Sequence, residues 1–259
     1  MALYKLFFSP TGGTHRVADL LCGAWDCPKI EVDLSDPEQD LSALCFRPED
    51  LCVVAVPSFE GRVPPVALPW LKALRGNGAR TIAAAVFGNR AYDDTLVELT
   101  DLLRRQGFRC CAATAAVAQH SVLSAYGAGR PDAQDAAELA AFSSRCREAF
   151  QSPALPEVSV PGNHPYRAPG GLPGLIHPVG GQGCTACGLC VRSCPVGAIP
   201  ATRPQQVDRS RCIACMRCVC VCPLHVRHAN GALLAIGTLL LKKKCKERKE
   251  NEFFLSESF

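Results

Sequence analysis

The chain has 259 residues, 48% of them hydrophobic and 20% charged, enough apolar material for one large or two ordinary domains and too much for a disordered chain. Its 28 Lys+Arg and 24 Asp+Glu leave a net charge of +4, far from the single-sign excess that marks nucleic-acid binding. No apolar stretch approaches the roughly 18 residues that span a bilayer. The opening MALYKLFFSPTGGT lacks the long apolar run and cleavage site of a secretory signal. The outlier is cysteine, at 17. An odd count, with eight patterned between Cys184 and Cys222, excludes a secreted disulfide framework and predicts a reducing cytoplasm and bound metal.

In chain order, Ala2–Phe8 reads as a short strand ending at the turn SPTGGT, and Thr14–Cys22 as the first helix. Ile30–Leu34 is the second strand, and the β-branched run Leu51–Val56 the third, buried on both faces. Thr81–Phe87 and Arg109–Val117 complete five strands. Tyr92–Gln106 repeats its leucines at helical spacing before Gly107, and Pro131–Gln151 reads as a last helix with proline near its start. Strands alternating with helices predict a doubly wound parallel sheet covered on both faces, with ligands at the loops beyond the strands' carboxyl ends.

Charge and composition then change. Residues 1–150 carry 15 basic and 18 acidic side chains, whereas residues 151–230 carry 7 and 2. The divisions expected are a first domain over 1–152, a Pro/Gly-rich linker over 153–178, a cysteine domain over 179–230 and a tail over 231–259.

Cys184, Cys187, Cys190 and Cys194 are spaced C-x2-C-x2-C-x3-C before Pro195, and Cys212, Cys215, Cys218 and Cys222 repeat that spacing before Pro223. Every member is offset by 28 residues, so the segment is an internal duplication. Two-residue gaps let three thiolates wrap one corner of an iron–sulfur cubane, and the proline turns the chain away after the fourth. Zinc is the alternative, but a zinc knuckle uses two cysteines and leaves the third without a role. The segment resembles the two-cluster bacterial ferredoxins, small α+β domains. That resemblance implies one [4Fe–4S] cluster on Cys184, Cys187, Cys190 and Cys222, and another on Cys212, Cys215, Cys218 and Cys194. The other nine cysteines read as apolar fillers or surface thiols, and His225 and His228 as surface residues.

Ser9, Thr11, Gly12, Gly13 and Thr14 join the first strand to the first helix, and hydroxyls, glycines and free helix N–H groups there suit a phosphate, although such a turn also serves as a plain N-cap. Neither a nucleotide-triphosphate nor a dinucleotide fingerprint is present, which favours a mononucleotide. Ser58, Phe59, Gly61 and Arg62 follow the third strand, and Gly88, Asn89 and Tyr92 follow the fourth; each loop puts an aromatic beside polar groups. These loops resemble the FMN-phosphate and ring-binding loops of the flavodoxin family, with Phe59 or Tyr92 as the stacking ring. With FGNRAYDD, AGRPD and the ferredoxin segment, the chain resembles the fused flavodoxin–ferredoxin proteins of anaerobic bacteria. Flavodoxins usually carry an acidic patch around the flavin, whereas Arg62 and Arg90 lie in these loops.

The tail, ALLAIGTLLL followed by KKKCKERKENEFFL, reads as a docked C-terminal helix, with an interfacial membrane helix as the alternative. The expectation is a cytoplasmic electron-transfer flavoprotein holding two [4Fe–4S] clusters and FMN. It would pass electrons to a redox partner protein or small-molecule acceptor. The alternatives are a pure carrier with no substrate, or a cluster protein whose flavodoxin-like domain has lost its flavin.

Overall fold

Leu3–Phe7 (β1) is buried at every position, and its alternate side chains point to opposite faces of the sheet. Leu3 and Phe7 face one side, with Leu51, Val53 and Ala55; Tyr4 and Leu6 face the other, with Cys52, Val54 and Val56. The computed structural model describes residues 1–41, 43–169 and 176–256. After β1 come α1 (Gly13–Cys22), β2 (Lys29–Asp33), β3 (Leu51–Pro57), α2 (Leu68–Ala73), β4 (Arg80–Phe87), α3 (Thr95–Arg105), β5 (Arg109–Val117) and α4 (Ala133–Ala149). The strands pair in the order β2-β1-β3-β4-β5, all parallel. This is the flavodoxin-like winding, whose switch point lies between β1 and β3.

Helix α1 buries Val17, Ala18 and Leu21, and α4 buries Leu139, Phe142 and Cys146, on one face. On the other face α3 buries Leu96, Leu99, Leu102 and Leu103. Alanine is a poor strand former, yet Ala83, Ala84, Ala85, Ala112, Ala113, Ala115 and Ala116 are all fully buried in β4 and β5. Small side chains on central strands let both helix layers approach closely, and tertiary packing overrides propensity.

Two features depart from the pattern reading. The described residues of the Pro/Gly-rich segment 153–178 stay out of helix and sheet, but residues 155–167 pack against β5 and α3. Leu155 and Val158 are buried, the Val158 N–H donates to Cys110 at 2.8 Å, and Arg109 donates to the Leu155 carbonyl at 2.7 Å. Asp94 accepts from the N–H groups of Asn163 and Arg167 at 3.0 and 2.7 Å. Residues 170–175 lie outside the described residues. The second departure is a sixth strand. After β6 (Val179–Gly180), α5 (Leu189–Arg192), α6 (Arg217–Cys220), β7 (Arg227–His228) and α7 (Gly231–Cys245), the chain returns as β8 (Glu252–Leu255). It pairs antiparallel with β5 and extends the five expected strands.

Helix α7 packs Leu234 and Leu241 against Leu123 and Tyr126, while Ile236, Leu239 and Leu240 stay exposed. Among the described residues no helix is long and apolar enough to cross a membrane.

Candidate functional site

The parallel order brings the loops after β1, β3 and β4 side by side at the carboxyl edge of the sheet. In the first, Gly12 is the N-cap of α1 at φ +87°, a left-handed conformation that glycine takes without a Cβ clash. Gly12 has no side chain with which to cap the helix, and nothing lies within 4 Å of where its Cβ would stand. Ser9 accepts the His15 N–H at 2.9 Å. Ser9 and Thr14 are buried, Thr11 and Gly13 half-buried, and Gly13 backs onto Ala118. With the His15 N–H taken by Ser9, the N–H groups of Gly13 and Thr14 beside that open space fit a phosphate, because a helix start carries partial positive charge.

In the second loop Phe59 and Arg62 exchange backbone hydrogen bonds at 3.0 Å around Glu60 and Gly61. Phe59 is half-buried and meets Phe8 edge-on at 6.2 Å. Ser58 accepts from Thr95 at 2.8 Å. Arg62 is engaged elsewhere: its guanidinium donates to both Glu98 oxygens at 2.8 and 2.7 Å and to the Arg167 carbonyl at 2.8 Å.

The third loop faces the tail. Asn89 bonds residues 245–249. Tyr92 is buried among core residues, and its hydroxyl donates to Glu252 at 2.7 Å. Burial and that carboxylate push the phenol above its ordinary pKa. Gly88 backs closely onto His120. Of the two aromatic rings read from sequence, Phe59 stands at the sheet edge while Tyr92 is taken up by packing. The cleft beside Tyr92 is open and lined by Arg90, Asp93, Asp94, Arg167, Lys249 and Glu250.

In the cysteine segment, Cys184, Cys187, Cys190 and Cys222 line one cavity with Leu224, Val226 and Arg227. Cys194 lies in the field of Cys212, Cys215 and Cys218. Among the described residues, His15, Asp19 and Glu31 are the one group of three His, Cys, Asp or Glu with ligand atoms within 4.8 Å of one another. Lys5 fills that group, 3.0 Å from His15 and ion-paired with both carboxylates. No three thiols among the described residues come so close, whereas a tetrahedral zinc with bonds of about 2.3 Å needs sulfurs about 3.8 Å apart. The third cysteine of each run, which a zinc knuckle leaves without a role, is what favours a multi-iron core.

Donors also point at the sulfurs. Ala198 N–H donates to Cys194 at 3.3 Å, and Arg227 to Cys190 at 3.8 Å. Some desolvation raises the Cys222 pKa, but hydrogen bonds from the backbones of Val226, Leu224, Arg227 and His225 bring it below the ordinary thiol value. Burial instead pushes Cys215 up to about 12; a cationic iron core would offset that penalty. Of the nine unpatterned cysteines, Cys22, Cys52, Cys110, Cys111, Cys146 and Cys245 are buried, and Cys45 and Cys220 are exposed.

Residues 179–223 match the 4Fe–4S dicluster domain family. A stretch of 45 residues is 51% identical to the thiosulfate reductase electron transfer subunit PhsB of Salmonella typhi, covering 16% of this chain and 22% of that protein. A stretch of 42 residues is 43% identical to one subunit of an ion-translocating oxidoreductase complex of Methanosarcina acetivorans, covering 16% of each. The chain thus spans about a fifth or less of the curated relatives it matches. Among solved structures, a short-chain flavodoxin associated with a non-canonical PDU bacterial microcompartment aligns with a TM-score of 0.41 at 16% identity, over 55% of this chain and 94% of that one. Rubredoxin oxygen:oxidoreductase of Desulfovibrio gigas aligns with a TM-score of 0.42 at 16% identity, over 58% and 37%. At such scores the fold assignment rests on the strand order itself. The chain joins a flavodoxin-like fold to a segment that matches the 4Fe–4S dicluster domain family.

Proposed function

We propose that the chain is an iron–sulfur flavoprotein that carries electrons between two [4Fe–4S] clusters and one FMN. The observation that carries this reading is the seating of a dicluster segment against the loop after β1 of a flavodoxin-like sheet, where Arg217 reaches the Ser9 carbonyl. Cys184, Cys187, Cys190 and Cys222 would hold one cluster, and Cys212, Cys215, Cys218 and Cys194 the other. The shared cavity of the first set, the mutual proximity of the second and the donors to sulfur support both sets. Clusters exchange single electrons and FMN one or two, so the assembly links the two kinds of redox step.

The chain's own work is to bind and position. Ser9, Thr11 and Thr14, with the N–H groups at Gly12 and Gly13, would hold the phosphate, and Phe59 would pack on the ring. Ser58 and Gly61 shape the ring loop, while Arg62, Gly88, Asn89 and Tyr92 fix its surroundings. The electron-transfer relatives support this reading, as does cysteine usage suited to a reducing cytoplasm.

The cleft beside Tyr92 favours a carrier that docks on redox proteins over an enzyme with a small substrate. Its charged, open lining is unlike the enclosed apolar pockets that bury small molecules. Protein purified without oxygen should contain about eight irons and one FMN per chain. Thr14→Ala should weaken FMN binding about 10- to 150-fold, the worth of one charge-assisted hydrogen bond, with iron retained. Unchanged affinity would move the cofactor away from this loop.

A further inference from the structure

The two halves of the cysteine duplication are alike in backbone and unlike in side chain. Gly188 and Met216, 28 residues apart, are the left-handed N-caps of α5 and α6, at φ +76° and +64°. Ala186 and Ala214 repeat at φ +55° and +51°, and Gly197 and His225 at +58° and +51°. That conformation strains a residue with a side chain but not glycine. Met216 accepts the strain and buries its side chain.

At the same offset Ile213 replaces Thr185 and Arg217 replaces Leu189. Ile213 packs against the core cluster that contains Phe8 and Val56. Arg217 donates to the Ser9 carbonyl at 3.3 Å and to the Ser35 hydroxyl at 2.7 Å, and pairs with Asp33 at 3.4 Å. These partners lie just beyond β1 and at the end of β2, on the edge that carries the loop after β1. The Arg217 Nε is buried without a partner. Among the described residues, no hydrogen bond or ion pair joins residues 184–190 to residues 1–150.

We propose that the second half of the duplication is the docking half: Arg217 holds the cluster of Cys212, Cys215, Cys218 and Cys194 beside the flavin-phosphate loop, and the cluster of the first half stands farther out. Electrons then reach the flavin through the second-half cluster. The Arg217 side chain acts as a positioning group, since its partners are Ser9, Ser35 and Asp33. The inference rests on the cofactor assignment above and adds their order. It also leaves the first-half cluster, with Cys187 exposed, as the one that meets an outside partner.

Paramagnetic iron speeds the relaxation of nearby amide protons, which measures proximity without flavin turnover. In the full chain carrying its clusters, reduction should raise the amide relaxation rates of Ser9, Gly12 and Ser35. Cys212→Ala should abolish that rise, and Cys184→Ala should preserve it. Arg217→Gln, which keeps all eight patterned cysteines, should retain full iron yet lose much of the rise, and Arg217→Lys should restore part of it. If a cysteine variant fails to fold, the Arg217→Gln result decides alone. A rise that survives Cys212→Ala and disappears in Cys184→Ala would reverse the order, and one untouched by Arg217→Gln would remove Arg217 from its role. FMN content, measured on the same wild-type sample, judges the cofactor assignment separately: a chain with clusters near the loop and no FMN would refute the flavin and leave the docking half standing.

Discussion

The side-chain carbonyl of Asn89 accepts the backbone N–H of Lys249 at 3.0 Å, and its amide donates to the carbonyls of Cys245 and Glu247 at 2.8 and 2.9 Å. A residue in the loop after β4 thereby ties down the turn between α7 and β8. Nearby, Asn251 accepts from Val117 at 2.9 Å and donates to Asp135 at 2.9 Å, which continues the attachment. The basic tail is held as part of the flavodoxin-like body.

Asn89→Ala removes three hydrogen bonds at a buried position and leaves main-chain groups of the tail without partners. The expected cost is about 2–3 kcal/mol, or a fall in Tm of roughly 4–12 °C for a chain of this size. Thermal unfolding checks the magnitude. Hydrogen exchange should show the loss first at residues 246–252, and protection there equal to wild type would contradict the clamp.

His120 lies behind Gly88, and its Nδ1 accepts from the Val122 and Leu123 N–H groups, each at 3.2 Å. Burial, with a smaller contribution from Arg90, lowers its pKa from 6.5 to about 4. The folded form binds its proton less readily than the unfolded chain. His120 is therefore neutral in both states above about pH 6.5, and stability falls as pH drops from there toward 4. The loss is on the order of 2–3 kcal/mol by linkage. His120→Asn offers an acceptor that does not titrate, so urea denaturation between pH 7 and 4.5 should show a flatter profile than wild type. Parallel profiles would place the titrating group elsewhere.

Much of this was legible in the chain itself. The five parallel strands follow from apolar runs such as Leu51–Val56, and the cysteine spacing alone points to iron–sulfur chemistry. Strand β8 was not legible: EFFL is four residues beside a lysine-rich stretch, and only the open edge of β5 makes it a strand. Leu155 and Val158 were hidden by prolines that exclude regular structure but do not prevent burial. Asn89 and Tyr92 read as cofactor contacts because a loop sequence carries no record of what the distant tail will occupy. Arg217 was one arginine among seven in a basic segment, and only its comparison with Leu189 across the repeat sets it apart.

Cys194 and Cys222 end their runs before prolines, and the structure groups Cys222 with the first run's cavity. Cys194→Ala and Cys212→Ala should therefore damage the same cluster, and Cys184→Ala the other, as read from the spectra of the reduced protein. If Cys194→Ala instead matches Cys184→Ala, each run binds its own cluster.

The proposed function puts one-electron and two-electron carriers on one chain. Anaerobic reductive titration of the purified protein tests it most directly. Two clusters taking one electron each and an FMN taking two predict an uptake of about four electrons per chain, with flavin and cluster bands bleaching in the same sample. An uptake of about two, confined to either the flavin or the cluster bands, would contradict the account.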